Sequence, residues 1–170
     1  MVRKEGVKMA KLIEIKNLRK SFNGKAVLKD INLEINKGDI VAIIGASGSG
    51  KSTMIRCIAG LEKGESGQIL LNGENIESGG QTAGKIGMVF QNFNLFPHYT
   101  VKENITKPLT TVKKTPQEEA EAIACELLAK VKLSEASEQY PATLSGGQNQ
   151  RLAIASCLAM NCLLYTSDAA

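Results

Sequence analysis

A glycine-rich stretch in the first third of the chain carries residues whose types and spacing could bind phosphate. The segment GASGSGKST, residues 45–53, fits the pattern G-x-x-x-x-G-K-[ST] from Gly45 to Ser52. Glycines let the backbone fold into a concave turn whose N–H groups can point at an anion. The pattern therefore predicts that Lys51 reaches the β- and γ-phosphates of a nucleoside triphosphate and that the Ser52 hydroxyl binds Mg²⁺.

The predicted elements on either side of this loop favour the phosphate-binding interpretation. The preceding segment DIVAIIG has four consecutive apolar residues, Val41 to Ile44, which predict a short strand covered on both faces. The following segment MIRCIAGL predicts a helix, because its apolar residues recur at helical spacing: Met54, Ile55, Ile58 and Leu61. A strand, a glycine loop and a helix in this order place an anion at the helix N-terminus, where the dipole favours it. A glycine-rich turn with a chance lysine is the alternative, and a G-x-G-x-x-G dinucleotide fingerprint does not fit the spacing.

A second helix start later in the chain could also face a phosphate. In YPATLSGGQNQRLAIASCLAMN, Ser145 occupies a predicted N-cap position ahead of Gly146 and Gly147. Small residues at a helix N-terminus leave its first N–H groups accessible to an anion. Because the two helix starts are far apart in sequence, we do not expect them to bind the same phosphate within one subunit.

Hydrophobic periodicity predicts the remaining elements. The segments KLIEIKNL and INLEIN alternate as half-buried strands do, and an Asn-Gly turn at Asn23 and Gly24 lies between them. Two further strands are predicted in GQILLNG and in KIGMVFQ, the latter ending on Gln91. The segment TPQEEAEAIACELLAKVKL predicts a helix with a capping box of Thr115 and Glu118. Pro116 would lie in its first turn. Its apolar stripe comprises Ala120, Ile123, Ala124, Leu127, Leu128 and Val131.

Composition narrows the classes of protein that remain. The chain has 170 residues, 43% of them hydrophobic, which is enough for about one domain. A net charge of +4 from dispersed basic residues, with 4% aromatics, argues against a nucleic-acid partner. Four widely spaced cysteines and one histidine argue against a metal cluster, and we interpret the cysteines as buried, reduced thiols. No apolar run is long enough to span a membrane.

The segments GASGSGKST, GMVFQ and LSGGQNQR together resemble the ATP-binding subunits of ABC transporters, over about residues 11–161. The resemblance implies an α/β P-loop NTPase fold, incomplete at its C-terminus, in which a RecA-like core carries an antiparallel β subdomain and a helical subdomain. The helical subdomain would lie between Gln91 and Ser145. The resemblance also implies ATP and Mg²⁺ as ligands, with ATP hydrolysis as the activity. A P-loop kinase or GTPase would leave the LSGGQ segment unexplained.

The same resemblance assigns roles to individual residues. Phe22 would stack on adenine, although it could instead be an ordinary core phenylalanine. Gln91 would contact Mg²⁺ and the attacking water and relay the state of the site to membrane subunits, although it could be a polar strand end. Lys51 and Gln91 would thus be catalytic, and Ser52 and Gln91 would bind the metal. The expected nucleotide contacts also include Gly45, Ala46, Ser47, Gly48, Ser49, Gly50, Thr53 and the signature residues Ser145, Gly146, Gly147 and Gln148, which would contact the γ-phosphate held by a second copy.

The implied partners follow from this arrangement. Two copies would pair head to tail, with each composite site using both chains, and the pair would bind integral membrane permease subunits at the cytoplasmic face of the cell membrane. An extracytoplasmic amino acid-binding protein would act indirectly. The segments MVFQNFNLFPHYTVKENI and LEKGESGQILLNGENI resemble importers of polar amino acids most. The alternatives are another imported substrate, an ABC protein without a transport role, or a nucleotide-binding fragment without turnover.

The chain departs from the family pattern at a few positions. Beyond Asn161 the family would supply an apolar run and an Asp-Glu pair, whereas CLLYTSDAA contains only Asp168. A DNA sequence resembling a library adapter can encode these nine residues. We therefore expect residues 1–161 to be a partial ATP-binding domain and residues 162–170 a non-native tail, the alternative being a natural divergent tail. In addition, Ser156 and Cys157 stand where the family usually has Arg-Ala, and Asn149 where it usually has Gln.

Overall fold

The structure, a computed structural model, describes residues 10–76, 85–162 and 164–167. The chain divides into two compact units, the first formed by residues 1–82 and the second by residues 83–170. The glycine loop belongs to the first unit, and the LSGGQ segment belongs to the second.

The first unit contains an antiparallel sheet in the strand order β2-β1-β3-β4. Its strands are β1 (Lys11–Phe22), β2 (Lys25–Asn36), β3 (Ser66–Leu71) and β4 (Glu74–Asn75). The β1–β2 turn has positive φ at both central residues, 50° at Asn23 and 76° at Gly24, as the primed hairpin turns require. The predicted antiparallel opening of the chain and its Asn-Gly turn are thus confirmed.

The core of the first unit lies between this sheet and helix α1 (Lys51–Ile58). On β1, Ile13 and Ile15 are buried, and they pair with Leu71 and Ile69 of β3. The helix contributes its buried side chains Met54, Ile55, Cys57 and Ile58. Leu61 does not belong to this set, since α1 ends before it and its side chain is exposed. The predicted apolar face therefore ends one turn earlier than its spacing indicated.

The predicted strand DIVAIIG is absent from the structure, although its residues are among those described. Residues 39–46 have no regular secondary structure. Ile40 is 100% exposed and Ile44 is 94% exposed, so the prediction of a strand covered on both faces is wrong. An apolar run becomes a buried strand only where neighbouring strands take its backbone hydrogen bonds and other layers cover its faces. In the described part of the first unit, the sheet is completed by β1 to β4 without this segment.

The second unit is mainly helical. It contains a short parallel pair, β5 (Ile86–Val89) with β6 (Leu164–Ser167), and helices α2 (Val101–Thr111), α3 (Gln117–Lys130) and α4 (Gly146–Ala159). The three helices enclose one apolar core, to which α2 contributes Val101, Ile105 and Leu109. The helical subdomain predicted between Gln91 and Ser145 is confirmed. In the described part of the chain, no helix is long and apolar enough to cross a bilayer.

Helix α3 forms with the predicted apolar stripe but without the predicted cap. Ala120, Ala124 and Leu128 are buried, and the other stripe residues pack against the same core. The helix begins at Gln117, with Pro116 as its N-cap residue. No side chain caps the N-terminus of this described helix. The capping box of Thr115 and Glu118 is therefore wrong: Thr115 lies one position before the N-cap, and its backbone N–H donates to the Leu109 carbonyl of α2 at 3.1 Å.

The four cysteines, all among the described residues, form no disulfide and lie in different environments. Burial raises the pKa of Cys57 to about 11 and that of Cys157 to about 11, so both thiols resist ionisation. Cys125 is exposed, and Cys157 and Cys162 are half-buried, so the interpretation of all four as buried thiols holds for Cys57 alone.

Candidate nucleotide-binding site

The glycine loop enters α1 through a backbone conformation that favours glycine. Gly48 has φ of +77° and Gly50, the N-cap residue of α1, has φ of +92°. Both lie in the left-handed region, where residues with a Cβ are disfavoured. A Cβ at Gly50 would also lie 3.0 Å from the carbonyl oxygen of Val27 and 3.1 Å from Leu28 on β2. The loop therefore depends on glycine both for its dihedral angles and for its close approach to the hairpin.

Lys51, the first residue of α1, folds back over the loop. Its ammonium group donates hydrogen bonds to the carbonyl oxygens of Gly45 and Ala46, each at 2.8 Å, and lies 3.5 Å from the Ser49 hydroxyl. The loop also closes on itself through a bond from the Ser49 N–H to the Ala46 carbonyl at 3.2 Å. Because the N–H of Ser49 donates to this carbonyl, it is not one of the predicted N–H groups that point inward at an anion. A cation held inside an exposed loop can exchange its carbonyl partners for a phosphate group, which accepts stronger, charge-assisted bonds.

The loop residues around Lys51 differ in exposure. Ala46, Ser47, Gly48 and Ser49 are exposed, so solutes can reach their backbone groups. Ser52 is also exposed, whereas Thr53 is half-buried. The buried side chains of α1 fix the helix against the core, so the first turn keeps its position at the end of the loop.

Phe22 is the last residue of β1 and lies beside the Asn-Gly turn, opposite Lys25. Its side chain is 44% exposed, so the alternative of an ordinary core phenylalanine is wrong. The ammonium of Lys20 lies 4.9 Å from the ring centroid, and the carboxylate of Glu62, 2.7 Å from that ammonium, raises the pKa of Lys20. An accessible ring of this kind can stack on a planar group.

Gln91 lies in the second unit, in the turn that follows β5. It is exposed, and the turn is closed by a hydrogen bond from the Phe93 N–H to the Phe90 carbonyl at 3.0 Å. Phe93 and Asn94 have positive φ, 61° and 50°, so the backbone reverses sharply after Gln91. The amide side chain is accessible, as a metal- or water-contacting residue must be.

The LSGGQ segment forms the predicted helix start. Ser145 is the N-cap of α4, its hydroxyl accepts from the Gln148 N–H at 3.3 Å, and the Gln148 side-chain oxygen accepts from the Ser145 N–H at 2.8 Å. The Ser145 cap is confirmed, and Gln148 completes a reciprocal capping box that the S-x-x-Q spacing could have revealed. Gly146 and Gly147 are exposed in the first turn. The helix N-terminus therefore faces solvent without side chains over its first two residues.

The structure assigns the predicted site residues to two separate groups. Phe22 and residues 45–53 belong to the first unit, and Gln91 and residues 145–148 belong to the second. Sequence inspection missed Asn104, which is 1% exposed and holds the segment after Gln91 through its side-chain amide.

These features define an α/β protein of the P-loop class. The chain belongs to the ABC transporter family, which matches residues 28–170. It is 51% identical over 158 residues to the L-cystine transport system ATP-binding protein TcyN of Escherichia coli, covering 87% of this chain and 63% of the relative. It is 46% identical over 153 residues to the general L-amino acid transport ATP-binding protein AapP of Rhizobium johnstonii, covering 88% and 60%.

Comparison with solved structures identifies the same fold. A dimeric, post-hydrolysis state of the ATP-binding cassette MJ0796 bound to ADP and Pi matches with a TM-score of 0.82 and 35% identity, over 92% of this chain and 73% of that chain. The fold is that of the ABC ATPase domains. The chain spans about three fifths of the length of the curated relatives named above.

The two left-handed glycines provide a matched pair of substitutions. A Cβ at Gly48 would contact no atom within 4 Å, whereas a Cβ at Gly50 would be crowded by β2. We expect Gly48→Ala to lower the free energy of unfolding by about 1 kcal/mol through backbone strain alone. Gly50→Ala should lower it by roughly 2–4 kcal/mol, because the strain and the crowding add. Urea unfolding followed by circular dichroism measures both, and equal losses would contradict the described approach of the loop to β2.

Proposed function

We propose that this chain binds ATP through residues 45–53 and Phe22. The observation that carries the proposal is the exposed loop in which Lys51 reaches back over the carbonyls of Gly45 and Ala46, at the N-terminus of α1. The ammonium would bind the terminal phosphates, the helix N-terminus would add its partial positive charge, and Phe22 would stack on the base. The ADP and Pi bound to the related cassette support a nucleotide ligand.

We propose that Ser52 and Gln91 provide the protein oxygen donors for Mg²⁺. In the described residues no group of three or more His, Cys, Asp or Glu side chains could hold a metal ion. Mg²⁺ is commonly bound through one or two protein oxygens together with substrate phosphates, and the hydroxyl of Ser52 and the amide oxygen of Gln91 suit this role. Bound in this way, the ion would neutralise charge that develops on the phosphates.

We propose further that the whole protein hydrolyses ATP to drive amino acid import. The names of the relatives, a cystine system and a general L-amino acid system, support an amino acid as the cargo, and the cystine system supports a polar one. The protein would work as a peripheral subunit at the cytoplasmic face of the membrane, with permease subunits and, indirectly, an extracytoplasmic binding protein. Loss of ATP-dependent uptake of labelled polar amino acids in cells carrying Lys51→Ala tests this role, and unchanged uptake would refute it.

The domain boundary after Asn161 is a separate proposal. We propose that residues 1–161 derive from the ATP-binding domain and that residues 162–170 do not. The absence of an Asp-Glu pair from CLLYTSDAA supports this boundary, whereas the family match that extends to residue 170 argues against it. The parallel pairing of Leu164–Ser167 with β5 is compatible with either origin, because its hydrogen bonds are made by backbone groups. Sequencing the native gene past Asn161 decides the question, and recovery of the codons for CLLYTSDAA would refute the boundary.

The test of nucleotide binding compares two lysines of the first unit. Lys51→Ala should weaken Mg²⁺-ATP binding roughly 10- to 100-fold, since charge-assisted hydrogen bonds contribute about 1.5–3 kcal/mol. Lys29→Ala, which removes an exposed lysine of β2, is the matched control and should leave the affinity unchanged. Isothermal titration calorimetry gives both values. An unchanged affinity in Lys51→Ala would exclude the loop as the phosphate site.

The proposed pairing of two copies predicts that one substitution can block dimerisation without blocking ATP binding. If Ser145 contacts nucleotide held by a second copy, Ser145→Arg should abolish ATP-dependent dimerisation while each monomer still binds ATP. The exposed residue Thr111→Arg on α2 is the control for adding an arginine to the second unit. Sedimentation velocity with and without Mg²⁺-ATP measures the association. Equal ATP-dependent dimerisation in both variants would argue against a trans role for the signature.

A further inference from the structure

Helix α2 contains a proline that leaves one backbone carbonyl without its helical partner. In an α-helix the N–H of residue i donates to the carbonyl of residue i−4, so the N–H of residue 108 would donate to the carbonyl of Asn104. Residue 108 is Pro108, which has no N–H. Asn104 is 1% exposed, and a buried carbonyl requires a donor from elsewhere.

Helix α4 supplies that donor. The hydroxyl of Ser156 donates to the Asn104 carbonyl oxygen at 2.8 Å. A serine inside a helix often bonds to the carbonyl four residues before it, whereas this hydroxyl reaches a different helix. The bond therefore joins the helix that begins at Ser145 to α2. Because Ser156 stands where the family usually has arginine, the resemblance does not imply this bond.

The side chain of the same asparagine holds the segment that follows Gln91. Its oxygen accepts from the Phe96 N–H at 2.8 Å, which fixes the orientation of the amide. The two N–H groups of its nitrogen are shared among three carbonyl oxygens, those of Phe96 at 3.1 Å, Tyr99 at 3.1 Å and Thr100 at 2.9 Å. One buried amide thus binds both backbone groups of Phe96 and two further carbonyls.

A cavity lies beside this link and leaves one side of the linked groups without packing contacts. The cavity has a volume of about 240 Å³, and Asn104, Pro108 and Ser156 line it together with residues from 87 to 96. Side chains in a filled core hold their neighbours by contact on all sides, whereas groups beside a cavity lack contacts on one side. The polar link therefore adds a hydrogen-bonded connection from α4 through α2 to the segment after Gln91, beside the apolar contact of Leu95 with the helical core.

We propose that Ser156 and Asn104 are positioning residues that fix the segment after Gln91 relative to the helix that begins at Ser145. This role rests on the proposed function, in which Gln91 faces the nucleotide of its own subunit and the Ser145 helix start faces the nucleotide held by a second copy. Ser156 acts through the Asn104 backbone, and Asn104 acts through its side-chain amide. A change in the position of α4 would then be transmitted to residues 96–100 without passing through the nucleotide.

Hydrogen–deuterium exchange of the 170-residue chain, measured without nucleotide, tests this link. Loss of one hydrogen bond should speed exchange of the peptide covering residues 92–100 roughly fivefold in Ser156→Ala. Ser156→Thr keeps the hydroxyl and should restore protection, since the cavity can admit the extra methyl group. Cys157→Ala changes a neighbouring residue that lines the same cavity and should leave the exchange unchanged.

A double-mutant cycle with Pro108→Ala makes the test specific. Alanine at position 108 gives the Asn104 carbonyl its own helical donor, so adding Ser156→Ala should then change exchange by less than about twofold. If Ser156→Ala speeds exchange throughout the second unit, regained protection in the Pro108→Ala background supports the proposal. Unchanged exchange in Ser156→Ala, or equal loss in both backgrounds, overturns it. Because no nucleotide is present, failure of the proposed ATP binding would not alter these results.

Discussion

The left-handed backbone at Gly50 is the constraint on which the candidate site depends. The chain reaches the first turn of α1 only through this residue, and the turn places Lys51 where its ammonium can lie over the loop. The same glycine allows the loop to approach Val27 of β2, so the hairpin and the loop restrict each other. The antiparallel sheet therefore does more than cover a core, because it limits where the glycine loop can lie.

Polar groups at helix starts have a corresponding role in the second unit. Thr100 and Glu103 form a reciprocal capping box at α2, and Ser145 and Gln148 form another at α4. Each box satisfies backbone N–H groups that a helix N-terminus leaves without partners. At α4 the box fixes the helix start while both glycines stay exposed, which suits a surface that contacts a nucleotide held by another subunit.

Local sequence signals predicted much of the fold and of the candidate site. The Asn-Gly turn, the apolar stripe of α3 and the Ser145 cap are all set by residues close together in sequence, and all three are confirmed. The strand predicted at residues 41–44 was wrong, because an apolar run does not specify its partner strands. The predicted capping box of Thr115 and Glu118 was wrong because the N-cap of α3 is Pro116, one residue later, which removes the geometry that the box requires.

The Ser156–Asn104 bond could not be predicted for a different reason. It joins residues 52 positions apart, and only the packing of α2 against α4 brings them together. The sequence does contain the proline that makes a donor necessary, but it does not indicate which side chain supplies it. The T-x-x-E spacing at Thr100 and Glu103, by contrast, is a local signal that could have identified the α2 cap.

The most direct test of the central claim compares the affinities of ATP, ADP, AMP and adenosine for the chain in the presence of Mg²⁺. If Lys51 and the start of α1 bind the terminal phosphates, ATP and ADP should bind at least about tenfold more tightly than AMP and adenosine, since each charge-assisted contact contributes about 1.5–3 kcal/mol. Isothermal titration calorimetry measures all four affinities under one condition. AMP or adenosine binding as tightly as ATP would contradict a site built around the phosphates.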